Sequence, residues 1–321
     1  MPQRSNSHEE AAKYNFWCPS FVVPAEYGLF LEEFKRTPGA VWIMKPIGKA
    51  QGKGIFLFNK LHQISDWKKD HKWKSDSPQA EAYITQRYIE NPYLVGGKKF
   101  DLRLYVLVTS FSPLVVWQYR TGFARFSSAR YSAKKGELDN LYMHLTNASI
   151  QKTKDDYDKD QGCKWDLRSL KMFLIARHGM RAVDELFYEM QCVITRSLLS
   201  VQQVIIQDKH CFELYGYDIL IDDDLKPWLL EVNASPSLTG DVAADYDLKH
   251  CVIQDTLDII DVEGSELADE SDQVGGYDLI WHNGPVRSEQ KSAYSCHLGC
   301  HNPQLSRNPL TRAERKAGGG T

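Results

Sequence analysis

The sequence predicts an α+β fold in which antiparallel sheets pack against helices. Three observations carry this. Residues 215–238 read as a β-hairpin, short apolar runs between residues 40 and 126 read as strands, and helical periodicity takes over from Trp165 to Ile205. The chain has 321 residues, is 42% hydrophobic and 25% charged, and carries a net charge of −3. That is a globular composition with ample core for one large domain or two lobes. A net charge near zero gives no nucleic-acid signature. No apolar run reaches the roughly 18 residues of a membrane span. The first residues, MPQRSNSHEEAAKYNF, hold no apolar signal-peptide core, and the seven Cys are scattered without paired spacing, which points to a reduced intracellular compartment.

Residues 1–13 read as a flexible polar lead. Glu26–Arg36 fits a short amphipathic helix with Tyr27, Phe30, Leu31 and Phe34 on one face, ended by Thr37-Pro38-Gly39. Ala40–Met44 is a buried strand that delivers Lys45 at its end. Pro46–Gly54 then forms a Gly- and Lys-rich loop leading to a strand at Ile55–Phe58. Backbone N–H groups and ammonium groups of such a flap suit phosphate, although a flexible basic hairpin shows the same pattern. It is not a Walker A loop: three residues, not four, separate Gly48 from Gly52. From Lys45 to Lys74 there are eight Lys against Asp66 and Asp70, a local excess that suits an anionic partner.

Glu81–Ile89 alternates as a strand. Lys98–Val108 is a buried strand with charges at its entry, and Leu114–Tyr119 and Gly122–Phe126 read as two further strands. Arg125 in the last of these is, on residue pattern alone, a surface arginine. After His144-Leu145-Thr146-Asn147 and a polar loop, Leu167, Leu170, Phe173 and Leu174 mark one helix closed by Gly179. A second helix carries a stripe from Val183 to Ile205. Asp255–Asp272 holds eight acidic residues and no Lys or Arg. Residues 261–321 read as an acidic, largely disordered tail with a short packed piece at Tyr277–Trp281. Cys296, His297, Cys300 and His301 lie too close together for a common zinc pattern.

The hairpin carries the chemistry. A strand from Gly216 to Asp222, a four-residue turn and a strand from Pro227 to Asn233 would oppose Asp222 to Pro227, hence Asp218 to Glu231. Asp218, Glu231 and Asn233 then share one face, and Tyr217, Ile219, Ile221, Trp228, Leu230 and Val232 turn to the core. Facing carboxylates repel, so a hard cation such as Mg²⁺ between them makes the arrangement sensible. A solvated acidic face is the alternative.

Six stretches in one order resemble the tubulin tyrosine ligase-like family of ATP-grasp ligases, specifically its polyglutamylase branch of cilia and flagella. They are Trp42–Pro46, Gln51–Ile55, Gln86–Ile89, Lys99–Arg103, His144–Asn147 and Glu231–Leu238, within an ATP-grasp region of about residues 14–260. The resemblance implies ATP and Mg²⁺ as cofactors. It implies that Lys45 holds the α/β-phosphates and that Gln51, Gly52, Lys53 and Gly54 close over the phosphates. Gln86, Arg87, Tyr88 and Ile89 would form the hinge against adenine. Lys99, Phe100, Asp101, Thr146 and Asn147 would line the nucleotide site, with Arg103 near the transferring phosphate. Arg125 would take the carboxylate of the incoming amino acid, a job for a planar bidentate donor, and Lys164 would touch that amino acid. Asp218, Glu231 and Asn233 would bind magnesium, with Glu231 and Arg103 catalytic.

The implied activity is ATP-dependent addition of free L-glutamate to acidic tubulin tails on microtubules, in the cytoplasm, the cytoskeleton, the ciliary or flagellar axoneme and the basal body. Accessory subunits are possible partners, and neither nucleic acid nor membrane is implied. A glycine- or tyrosine-adding ligase of the same fold, or a non-catalytic ATP- or tubulin-binding subunit, are the alternatives. A protein kinase is excluded by the lack of His-Arg-Asp and Asp-Phe-Gly. Two departures from the family pattern stand out. Only 44 residues precede Lys45, so an N-terminal lobe is expected to be truncated, and Leu238–Ala244 lacks the Lys that many active relatives carry shortly after Ser-Pro-Ser.

Overall fold

The computed structural model describes residues 10–49, 51–64, 82–154, 163–206, 208, 210–240, 242–260, 271–286 and 294–302. The Lys-rich stretch beyond residue 64, the loop over residues 155–162 and most of the acidic run after residue 260 lie outside them. In chain order the strands are β1 (Ser20–Val23), β2 (Trp42–Pro46), β3 (Phe56–Phe58), β4 (Tyr83–Arg87), β5 (Leu94–Val95), β6 (Lys98–Phe111), β7 (Leu114–Phe126), β8 (Lys164–Asp166), β9 (Glu213–Ile221), β10 (Pro227–Asn233), β11 (Gln273–Val274) and β12 (Tyr277–His282). The helices are α1 (Tyr27–Arg36), α2 (Leu141–His144), α3 (Ala148–Gln151), α4 (Leu167–His178), α5 (Met180–Val201) and α6 (Ala243–Ile260). Among the described residues, no helix is long and apolar enough to cross a membrane. The chain divides into two compact units: residues 1–101, 125–157 and 220–228, and residues 102–124, 158–219 and 229–321.

The first unit is built on a four-stranded sheet in the order β1-β4-β2-β3, in which β1–β4, β4–β2 and β2–β3 all pair antiparallel. Strand alternation sorts β2 into two faces. Trp42 and Met44 join Phe30, Phe58, Ile64 and Tyr83 in a core covered by α1, where the Phe30 and Trp42 rings meet edge to face at 5.1 Å. Val41 and Ile43 turn the other way, into a cluster with Leu57, Tyr88, Leu138 and Leu145. Lys45 has the parity of Ile43, so it shares this second face.

The second unit is built on a sheet in the order β10-β9-β6-β7-β12-β11. Tyr105, Leu107, Trp117, Tyr119 and Tyr277 form a core with Leu248, Cys251 and Val252 of α6. On the β9 side, Ser197 of α5 meets the Tyr217 hydroxyl at 2.9 Å. Asp166 caps α4, accepting from the Ser169 N–H at 2.8 Å, and Gly179 at φ 81° separates α4 from α5. The expected mixed architecture of antiparallel sheets and packed helices is what the structure contains.

Four expectations need correction. Leu114–Phe126 is one strand, not two, because Arg120 forms two hydrogen bonds with Asp278 of β12 and needs no turn. The α5 helix ends at Val201, and Val204 is exposed beyond it. The β9–β10 turn is tighter than expected. Asp222 N–H donates to Lys226 O, Leu225 N–H donates to Asp222 O, and Leu225 sits at φ 62°. This is a three-residue connection closed by a left-handed residue, so Asp222 opposes Lys226 rather than Pro227. The second strand accordingly buries Leu229, while Trp228 and Leu230 are half-buried and Val232 is 40% exposed.

The fourth correction concerns residues 294–302, whereas the packed piece expected at Tyr277–Trp281 is present as β12. β12 pairs with β7, with Tyr277 opposite Tyr119. Residues 294–302 pack as a clip: Gly299 N–H donates to Arg120 O, and Asn302 is buried against the Tyr119 hydroxyl. Lys171 of α4 is buried and donates to Leu298 O at 2.8 Å. The Cys/His cluster does not converge on one point. His297 meets Asp278, His301 meets Arg168, and Cys300 lies 3.7 Å from Lys171 Nζ.

Candidate functional site

In the first unit, β2 and β4 run antiparallel with Ile43 opposite Gln86 and Lys45 opposite Ile84. Lys45 and Gln86 are therefore near neighbours on one face, and Lys45 Nζ donates to Gln86 Oε1 at 2.8 Å. The Gln86 amide donates in turn to Ser20 Oγ at 2.9 Å, which fixes the side chain. Lys99, at the start of β6, is buried and donates to the Tyr88 hydroxyl at 2.9 Å and to His144 O at 2.8 Å. Both acceptors are neutral. Burial above all, with help from the Lys45 ammonium and against the pull of Asp101, lowers the Lys99 pKa to about 7. Two ammonium groups that disfavour each other's charge, one of them fully desolvated, are suited to an anion that neutralises both.

The flap is held by its backbone. Gln51, Gly52 and Gly54 sit at φ 64°, 75° and 76°. A Cβ on Gly52 would come 2.4 Å from Ile150 Cδ1 and 3.3 Å from Asn147 Oδ1, so only glycine lets the loop approach the His-Leu-Thr-Asn turn. Ser149 Oγ donates to Gln51 O at 2.9 Å. Asn147 starts α3, with its carbonyl accepting from Ile150 and Gln151, and Thr146 is buried beside it. Thus Lys45, Gln51, Gly52, Gly54, Gln86, Tyr88, Lys99, Asp101, Thr146 and Asn147 all belong to this unit, as do Lys53, Arg87, Ile89 and Phe100.

Arg125 also belongs here, and it is not the surface arginine that its strand position alone suggests. It is 8% exposed, and its guanidinium makes a two-pronged pair with Asp101, Nε donating at 2.9 Å and Nη2 to the other carboxylate oxygen.

In the second unit, Arg103 and Asp218 are directly opposite on β6 and β9. Arg103 Nε and Nη2 donate to the two Asp218 oxygens at 2.6 and 3.1 Å, and Asp218 is 2% exposed. Asn233 Nδ2 donates to Gly216 O at 3.2 Å and to Glu231 Oε1 at 3.3 Å, which ties the end of β10 back to β9. A Cβ on Gly216 would lie 2.8 Å from Pro236 Cβ and 3.2 Å from Arg103 Cδ, so Gly216 lets the Ser-Pro-Ser turn fold against the arginine. Carboxylate and amide oxygens of Asp218, Glu231 and Asn233 are the donor chemistry that a hard divalent cation takes, but the three-residue turn does not keep the expected Asp222–Pro227 register, which would set Asp218 opposite Glu231.

Lys164 and Lys249 complete the picture. Lys164 pairs with Asp245 at 2.8 Å, and Lys249, one turn along α6, pairs with the same fully buried carboxylate at 3.1 Å and donates to Thr239 O at 2.6 Å. Both ammonium groups lie near the Phe123 ring, at 5.1 and 6.0 Å. Lys249 also lines a cavity of about 390 Å³ with Leu238, Tyr246 and His250. Sequence reasoning missed Lys249 because it searched only as far as Ala244. The signal was present: an Asp and a Lys four apart meet on one helix face. Likewise Asp222, Asp223 and Asp224 bring their carboxylates within 4.8 Å of one another, but Asp222 is spent on the Asp224 and Lys226 N–H groups and on Trp228 Nε1.

Comparisons with known proteins show the family. The family model described as "Tubulin-tyrosine ligase family" matches residues 1–269, which include every residue discussed as a candidate except the C-terminal cluster. The chain belongs to the tubulin-tyrosine ligase family. It is 49% identical over 337 residues to "Probable tubulin polyglutamylase TTLL9" of Bos taurus, covering 94% of this chain and 72% of the relative. It is 51% identical over 275 residues to "Probable tubulin polyglutamylase ttll-9" of Caenorhabditis elegans, covering 85% and 64%. The human "Tubulin polyglutamylase TTLL5" is 37% identical over 256 residues, which is 75% of this chain but 19% of that one.

Proposed function

We propose that this chain is an ATP-dependent tubulin polyglutamylase, acting on the acidic C-terminal tails of tubulin with free L-glutamate as co-substrate. One observation carries the reading: relatives 47–51% identical over most of the chain are named tubulin polyglutamylases, and the family match spans all the cationic and oxygen-donor residues above.

The chemistry is assigned as follows. A γ-carboxylate oxygen of a tail glutamate attacks the γ-phosphorus of ATP, ADP leaves, and an acyl-phosphate remains. The α-amine of free glutamate attacks the acyl carbon, phosphate leaves with the acyl C–O bond electrons, and the amine proton passes to solvent. Lys45 and Lys99 bind the ATP phosphates, with Gln51–Gly54 closing over them. Gln86–Ile89, Thr146 and Asn147 orient the nucleotide. Arg103 and Asp218 place a guanidinium for phosphate charge. Asp218, Glu231 and Asn233 would hold magnesium, which would supply neutralisation of phosphate charge. Arg125, oriented by Asp101, and the Lys164–Lys249 pair each offer a cationic contact to a carboxylate of the incoming amino acid. Such catalysis is positioning and electrostatics throughout. The same reading places the protein on microtubules of the cytoskeleton, including ciliary and flagellar axonemes and basal bodies.

The test is incorporation of labelled glutamate into microtubules with Mg-ATP, comparing the intact chain with Glu231→Gln. Incorporation that disappears in the variant supports ligase and metal site together. An intact chain that binds ATP with magnesium but adds no glutamate, glycine or tyrosine contradicts the ligase assignment.

A further inference from the structure

His144 belongs to one of the six diagnostic stretches, yet no chemistry above uses its side chain. Its surroundings in the first unit form a hydrogen-bond chain whose direction is set from one end. His144 Nε2 lies 3.1 Å from the Glu137 carbonyl. A carbonyl only accepts, so Nε2 carries the proton. In a neutral ring Nδ1 is then an acceptor, and the Tyr88 hydroxyl lies 3.1 Å from it. Tyr88 therefore donates to His144 and turns its oxygen lone pairs to Lys99 Nζ, 2.9 Å away. Lys99 donates its second bond to the carbonyl of His144 itself, at 2.8 Å. The Tyr88 ring lies beneath the same ammonium, with Nζ 4.4 Å from its centroid.

We propose that His144, as the Nε2–H tautomer, is a positioning residue for ATP binding: it orients the Tyr88 hydroxyl, and through Tyr88 and its own carbonyl it places the Lys99 ammonium for a phosphate. The proposal rests on the nucleotide reading given above. The other groups facing this chain are the Tyr131 ring, 5.7 Å from the imidazole and nearly perpendicular to it, and the charges of Glu90, Glu137, Asp101 and Lys45. Tyr131 donates to Glu90 O at 2.8 Å, and its hydroxyl also shares a side-chain hydrogen bond with Tyr88. Burial, assisted by Lys99, holds the His144 pKa below the ordinary imidazole range, so the neutral ring prevails at neutral pH. An imidazolium has no acceptor left for Tyr88, so acidification breaks the chain and weakens phosphate binding.

Two measurements on the whole chain test this. Imidazole ¹⁵N spectra at pH 8 without nucleotide should show a neutral His144 protonated at Nε2 with Nδ1 accepting a hydrogen bond. The opposite tautomer overturns the proposal whatever ATP does. Calorimetric Mg-ATP affinity should fall about tenfold in His144→Phe, in His144→Gln and in Tyr88→Phe, roughly the worth of one hydrogen bond to a charged group, and should fall further below pH 6 only in chains that retain His144. His144→Asn keeps an acceptor near the Nδ1 position and should bind within about threefold of the native chain. Folded variants that all bind alike, Asn included, overturn the positioning role. A native chain with the expected tautomer that does not bind ATP overturns the nucleotide reading, and the role with it.

Discussion

The molecule buries two kinds of cation, and they are treated differently. In the second unit Arg120 reaches Asp278 through two hydrogen bonds of 2.6 and 2.7 Å. The pairing holds the Asp278 pKa below the ordinary carboxylate value even though burial alone would raise it. In the first unit Lys99 is just as enclosed but donates to a hydroxyl and a carbonyl, and its pKa is lowered to about 7. A charge that is balanced inside the chain holds the fold together. A charge left on neutral partners is costly to the empty protein and becomes favourable only when an anion arrives. That contrast separates structural from functional groups here better than burial does.

The largest expected effect is at the balanced pair. Asp278→Asn leaves a buried guanidinium facing a neutral amide and should cost about 3–5 kcal/mol of stability, read as a lower denaturant midpoint. Lys99→Met should cost less than ~1 kcal/mol, because the lost hydrogen bonds are offset by the relieved desolvation, while Mg-ATP affinity falls at least about tenfold. If Lys99→Met unfolds the chain as severely as Asp278→Asn, the two cations are alike and the contrast fails.

The pH dependence has the same sign at the two sites but falls in different windows. The folded pKa of Lys99 lies below its unfolded value, so between about pH 7 and 10 the unfolded state binds the extra proton and stability rises with pH. That slope should be absent in Lys99→Met. The folded pKa of Asp278 lies below its ordinary value of 3.8, so its contribution is present above that value and is lost as pH falls below it. Smaller still, Glu231→Gln should shift the melting temperature by less than about 2 °C, since the side chain is exposed, yet abolish magnesium-dependent activity. Least of all, a zinc chelator should leave the melting curve unchanged, because His297 and His301 point to Asp278 and Arg168 rather than to a shared ion.

Much of the fold was legible in the sequence, and for a physical reason: apolar alternation and turn residues are local signals. The Lys45 strand, the flap, the long strand from Lys98 and the two helices after Trp165 all follow from patterns within about twenty residues. What was not legible depended on partners far along the chain. Asp218 and Arg103 are 115 residues apart and Asn302 and Tyr119 are 183 apart, so neither pairing leaves a local trace. The β9–β10 turn failed for the opposite reason. Whether Leu225 takes a left-handed conformation is decided by one residue, and that choice moved the buried position of β10 to Leu229. Lys249 was readable from helix spacing alone. The motifs named Lys45, Gln86, Tyr88 and Lys99 as candidates, but only the geometry showed that Lys99 donates to neutral acceptors.

The most direct test of the central claim is the proton count on ATP binding. Calorimetry of Mg-ATP binding at pH 8 would be run in two buffers of different ionisation enthalpy. A buried lysine with a pKa near 7 is mostly neutral at pH 8 and should become charged beside phosphate, taking up roughly 0.9 proton per nucleotide, whereas Lys99→Met should take up close to none. Binding by the native chain with no buffer dependence would mean that Lys99 is already charged, and the account of an ammonium waiting for its anion would be wrong.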